Sequence, residues 1–136
     1  MNFHKLYRYL LLIVLATLGI GCASIVSTIP EGYEGPTATL NDTFEHLSRS
    51  KGNFYFLAAT EQGNVNNALS ATYGASQGQG NKLSPMGAIR PLPTTPQKLT
   101  LVGQLHHAAP IGYMVNSDSN HRVEGVIEFT PKINES

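Results

Sequence analysis

The chain has 136 residues, with nine basic and nine acidic side chains, five histidines and a single cysteine. A formal charge of zero leaves no basic face for nucleic acid, and one cysteine cannot form an internal disulfide or a thiolate metal site. Charged residues make up only 13% of the chain, about half the usual share of roughly 25%, so the charged outer faces of a helical bundle are missing.

The chain begins with a short basic stretch holding Lys5 and Arg8, followed by an apolar run from Leu10 to Ile20. As a helix this run spans about 16 Å at roughly 1.5 Å per residue, too short for about 30 Å of hydrocarbon. Basic start, short apolar middle and small residue before the break are the parts of a secretory signal. The ending Leu18-Gly19-Ile20-Gly21-Cys22 resembles the lipobox of bacterial lipoproteins. Leu is commonest three places before the cysteine; that place is Gly19, with Leu18 one further back, a variant that permissive forms of the pattern accept. The resemblance implies cleavage after residue 21 and attachment of diacylglycerol to the Cys22 thiol, with fatty acids such as palmitate on the protein. Each buried methylene adds about 0.8 kcal/mol, so two or three acyl chains anchor stably. Ala23, where an Asp favours inner-membrane retention in enterobacterial lipoproteins, points to the outer membrane, with the domain facing the periplasm.

With Lys5 and Arg8 removed, residues 22–136 carry a slight acidic excess and suffice for one domain with a real core. Residues 22–36 are expected to be the lipidated cysteine and a tether, because Pro30, Gly32 and Gly35 break any helix. Residues 37–136 are expected to form the domain. Thr37–Leu40 is a short strand candidate, with Asn41-Asp42 turning out of it, and Phe44–Ser50 suits a helical turn or loop. Asn53–Ala59, the densest aromatic run, is expected to be the central strand, apolar on both faces. Glu61-Gln62-Gly63-Asn64 has the chemistry of a hairpin turn, from which Ala68–Tyr73 would return as a partner strand. Gly74–Asn81 is expected to be a loop, Leu83–Ile89 an edge strand carrying Pro85, and Pro91, Pro93 and Pro96 a stiff connection.

Lys98–His107 gives the clearest alternation. Leu99, Leu101, Gly103, Leu105 and His107 fall on one face, and Lys98, Thr100, Val102, Gln104 and His106 on the other. Arg122–Thr130 repeats it, with Val123, Gly125, Ile127 and Phe129 expected inward. Between them lies a long loop, residues 108–120. Short strands, turn signals and little helical periodicity predict an all-β fold: one antiparallel β-sandwich of immunoglobulin- or transthyretin-like architecture, after the lipoprotein signal helix.

The segments Leu99–Ile111 and Gly125–Pro131, with a looser match over Ala71–Gly80, resemble a group of small proteobacterial lipoproteins expected to be β-sandwiches. The resemblance covers roughly residues 35–131 and implies fold and location, not activity. Such proteins tend to run on past the Phe129-Thr130-Pro131 segment into a further strand, whereas this chain stops at Ser136, so an open sheet edge is expected.

Candidate chemistry is sparse. His106 and His107 are adjacent and would point to opposite faces of a strand, unable to chelate one ion together. His107 is expected to be a core histidine bonded to backbone, and His106 to border a pocket near Tyr113. Ser48-x-x-Lys51 matches a β-lactamase tetrad by letters alone, without its companion motifs, and Gly74–Gly80 lacks the ending of a phosphate loop. Glu124 and Glu128 share a strand face about 13 Å apart, too far for a glycosidase pair. No catalytic residue, metal or cofactor is therefore assigned, and Cys22 is the one assigned site.

The sequence reading is a non-enzymatic, membrane-anchored envelope lipoprotein that binds another envelope component or does accessory structural work. Its expected partners are the membrane, through Cys22, and an envelope protein, with no nucleic acid. The alternative is a small-molecule or glycan-binding domain, or a degenerate hydrolase, using loops 74–81 and 108–120. A third reading has the open C-terminal edge accept a partner's strand.

Overall fold

The computed structural model describes residues 25–115 and 121–133. The expected signal helix and Cys22 lie outside the described residues. Of those described, 47% are in strands and 14% in helices, and the fold is all-β, antiparallel and sandwich-like. In chain order the elements are β1 (Thr37–Ser48), β2 (Lys51–Thr60), β3 (Gly63–Asn64), α1 (Ala68–Ser76), β4 (Ala88–Pro93), β5 (Gln97–His107), α2 (Pro110–Val115) and β6 (Arg122–Phe129). The sheet order is β4-β1-β2-β5-β6, with β3 also paired to β2.

Strand β1 is one unbroken strand of 12 residues, so neither the turn expected at Asn41-Asp42 nor the helical turn expected over Phe44–Ser50 forms. It changes neighbour midway. Thr37–Asp42 pairs with β4, and Thr43–Ser48 pairs with β2. The first half with β4 thereby lies across the sheet, and Leu40 and Leu92 close over Leu57, Leu99 and Val65 to make one core cluster. The other cluster, Phe54, Phe56, Val102, Ala68 and Leu83, fills the opposite face beneath α1. Strand β2 is central, as its aromatic run predicts, and β5 forms where expected but is packed on both faces, with Leu99 and His107 buried from one expected face and Val102 and His106 from the other. The turn at Glu61–Gln62 also forms, with Gly63 at φ 135°, a value that excludes most side chains.

Ala68–Tyr73 is not the returning strand. Asn67 caps a helix there, its side chain accepting from the Ser70 N–H at 3.0 Å, and an alanine-rich turn follows. The place beside β2 is taken by β5. The edge strand lies further on than Leu83–Ile89 and includes Pro91 and Pro93. Both fit because their carbonyls face away from β1. Thr28 Oγ1 donates to Pro91 O at 2.7 Å, and Gln97 Nε2 to Pro93 O at 2.8 Å, so the missing N–H groups fall on the outer side.

Part of the expected tether is docked. The Val26 N–H donates to Asn64 O at 2.9 Å, the Val26 side chain packs against the Leu57 cluster, and Thr28 is buried. Strand β6, whose odd positions were expected to face the core, is exposed along its whole length. It has β5 on one side and no strand neighbour on the other among the described residues, so no second layer reaches it. No described helix is long and apolar enough to cross a membrane.

Candidate functional site: an open trough and a buried histidine–tyrosine cluster

Antiparallel pairing places directly opposed residues on the same face, so the register lays out the sheet surface in rows. One row runs Thr43, Tyr55, Gly103, Val123 across β1, β2, β5 and β6, and the next runs Leu57, Leu101, Gly125. Two glycines therefore sit diagonally adjacent on one face, where side chains would otherwise stand. The Tyr55 ring lies over Gly103, whose Cβ would come within 3.3 Å of it, while a Cβ at Gly125 would meet nothing within 4 Å. The result is a trough of about 660 Å³, with Leu101, Leu105, Tyr55 and Val123 supplying apolar walls and Asn53 and His121 polar groups. This volume is within the roughly 300–1,000 Å³ usual for small-molecule sites, and the mixture of apolar lining with few polar groups is the usual one.

At the far end of β5, on the opposite face, His106 is buried. The Tyr113 hydroxyl bonds its Nδ1 and also accepts the His107 N–H at 3.1 Å. The Tyr73 ring, from α1, meets the His106 ring edge-on at 4.7 Å, and Phe54 closes a third side at 6.1 Å. Burial holds the His106 pKa below its ordinary value, with neighbouring His107 adding to the effect. Burial also raises the Tyr113 pKa; the bond from the His107 backbone opposes this and Tyr73 reinforces it. His106 is accordingly a neutral, packed side chain.

The expectation that His107 bonds to backbone is not met by its ring. Nε2 is buried without a hydrogen-bond partner, and the ring packs edge-on against Tyr113 at 4.9 Å. Gly112 passes so close that a Cβ there would be 2.7 Å from His107 Nδ1. No three histidine, cysteine or acidic side chains gather in a metal-binding group among the described residues.

The other residues singled out in the sequence are engaged elsewhere. Ser48 and Lys51 flank the β1–β2 turn as a cross-strand pair. Glu45 accepts from Asn53 Nδ2 at 3.1 Å, Glu124 pairs with Arg122 at 2.7 Å, and Glu128 lies 3.7 Å from Lys98. The two expected loops are partly helical, since α1 runs on to Ser76 and α2 takes Pro110–Val115, and residues 116–120 lie outside the described residues. Leu83, just past the first segment, and Ala108, at the start of the second, meet the same end of the sheet: Leu83 N donates to Arg49 O, and Ala108 N to Ser50 O. The trough nevertheless lies on the other face and draws its lining from the strands and His121. Its sequence signal was the pair of glycines at matching positions of two alternating strands. The partners of His106 across α1 gave no such signal.

Comparison with protein-family models, with curated proteins and with solved structures finds no match to this chain.

Proposed function

We propose that the protein is a lipid-anchored binding module of the bacterial cell envelope, attached through Cys22 to the outer membrane and facing the periplasm. It works without catalysis, holding a small apolar or amphiphilic molecule in the trough of β2, β5 and β6. One observation carries the binding role: Gly103 and Gly125 leave a hollow on a sheet face otherwise lined by Leu101, Leu105, Tyr55 and Val123. Exposed apolar surface of this kind, with a few polar groups around it, marks a contact site in soluble proteins. The anchoring role rests on the lipobox resemblance at Leu18–Cys22 and the physical need for more than one acyl chain.

Native mass spectrometry of the full-length protein, released from membranes in mild detergent, tests the binding role. A retained small molecule that is lost in Gly125→Leu, with thermal stability kept, is the expected result. An identical spectrum for both proteins contradicts it. Membrane fractionation tests the anchor separately: Cys22→Ser should move to the soluble fraction or remain uncleaved, and unchanged processing and acylation would contradict it.

A further inference from the structure

Strand β6 presents eight residues in regular antiparallel pairing with β5 and no register shift. Its backbone orientation is set by one bond. His121 O accepts from Leu105 N at 3.0 Å, so the odd positions of this segment turn their polar groups towards β5. The even positions, Arg122, Glu124, Val126 and Glu128, therefore turn their N–H and C=O groups outward, unpaired by any strand among the described residues.

Edge charges usually discourage pairing, but these have mixed sign, and their spacing selects one register. Consider a second β6 laid antiparallel with a two-fold axis through Gly125. Arg122 then stands opposite Glu128 of the second copy, and the reverse, on one face. Val123 stands opposite Ile127 on the other face, both of them exposed at 73% and 41%. The two Gly125 residues meet on the axis as a non-hydrogen-bonded pair, with Cα atoms about 4.5 Å apart. The outward even positions fall opposite one another, as hydrogen bonding requires. Moving the axis one residue either way opposes Glu124 to itself or to Glu128, which repels. Lys98, already beside Glu128, and Gln104, bonded to Arg122, would continue the complementary row into both neighbouring strands.

We propose that β6 pairs with β6 of a second copy about a two-fold axis at Gly125, joining two sheets into one. Val123 and Gly125 border both the seam and the trough, but the register is selected by Arg122 and Glu128 on the opposite face, so the inference does not depend on what the trough binds.

The test is cysteine cross-linking of the full-length, membrane-anchored protein, with the unsubstituted chain as control for Cys22. Gly125→Cys, which the open space at that position tolerates, should give a disulfide-linked dimer on mild oxidation. Val126→Cys, facing Glu124 of the second copy, should not. Within the Gly125→Cys background, Arg122→Glu alone and Glu128→Arg alone should each lose the dimer, since like charges then face each other. Co-expressing the two should restore it, because each mixed pair has opposite charges. A monomer from Gly125→Cys, equal cross-linking at both positions, or no restoration on co-expression would overturn the proposal.

Discussion

Asp42 and Arg90 form a buried ion pair at the point where β1 leaves β2 for β4. Past Thr43, β1 no longer pairs with β2, and Leu57 loses its backbone partners on that side. The two side chains replace them. Asp42 Oδ1 accepts the Leu57 N–H at 3.0 Å, and Arg90 Nη1 donates to Leu57 O at 3.3 Å. Asp42 Oδ2 also accepts the first N–H of α1, from Ala68, at 2.8 Å, tying the helix to the same crossing.

Removing one partner strands a buried charge. Asp42→Ala should lower stability by about 3–5 kcal/mol, read by urea unfolding. Replacing a buried pair by apolar residues is often neutral, but here it should not be. Asp42→Leu with Arg90→Met leaves the Leu57 amide and carbonyl and the Ala68 amide unsatisfied, at about 1–3 kcal/mol each. A double variant as stable as the parent would refute the backbone-substitute role.

The buried His106 makes stability depend on pH. Its folded pKa is below the ordinary value near 6.5, so the unfolded chain binds the proton more readily. This contribution is whole above the ordinary value and is lost as pH falls through the lowered one. The melting temperature should therefore drop as pH falls below the ordinary histidine range, and His106→Phe should reduce that slope. An unchanged slope in the variant would place the sensitivity elsewhere.

Gly112 should not accept a side chain. A Cβ there would lie 2.8 Å from both Cβ and Cγ of His107, so α2 must move. Gly112→Ala should cost about 1–3 kcal/mol through overpacking. Because the shift would pull the Tyr113 hydroxyl from the His107 N–H, hydrogen exchange at that amide should quicken. Unaltered exchange would show that the helix yields without losing the bond.

Helix α1 offers a smaller, cleaner measurement. Asn67→Ala should destabilise by about 1 kcal/mol, since the Ser70 N–H loses its acceptor. Asn67→Ser should recover most of that in the same unfolding assay.

The elements that were legible in the sequence are those whose pattern is local. The aromatic run of β2, the period-two alternation of β5 and β6, and the Gly63 turn all carry their signal within a few residues. The length of β1 was not legible. Asn41-Asp42 has turn chemistry, and only Arg90, 48 positions away, makes Asp42 a buried strand residue. Pro91 and Pro93 likewise suggested a connection, because their tolerance in an edge strand depends on which side faces β1. Ala68–Tyr73 reads as a strand by itself, and the residue that starts the helix, Asn67, lies just outside it. The rows of the trough were half visible: Gly103 and Gly125 were on the alternating faces, but the register that brings them together belongs to the fold. His106 beside Tyr113 was anticipated, whereas Tyr73, from α1, could not be.

The most direct test of the proposed function is photo-cross-linking in intact cells, with p-benzoylphenylalanine in place of Tyr55. That ring lies over Gly103 beside the trough and is 52% exposed. The same photoreactive residue in place of Glu31, exposed away from the trough, is the control. A small-molecule adduct at position 55, absent at position 31 and lost in Cys22→Ser, is expected of an anchored binding module. Equal labelling at both positions, or no adduct at position 55 in the anchored protein, would contradict it.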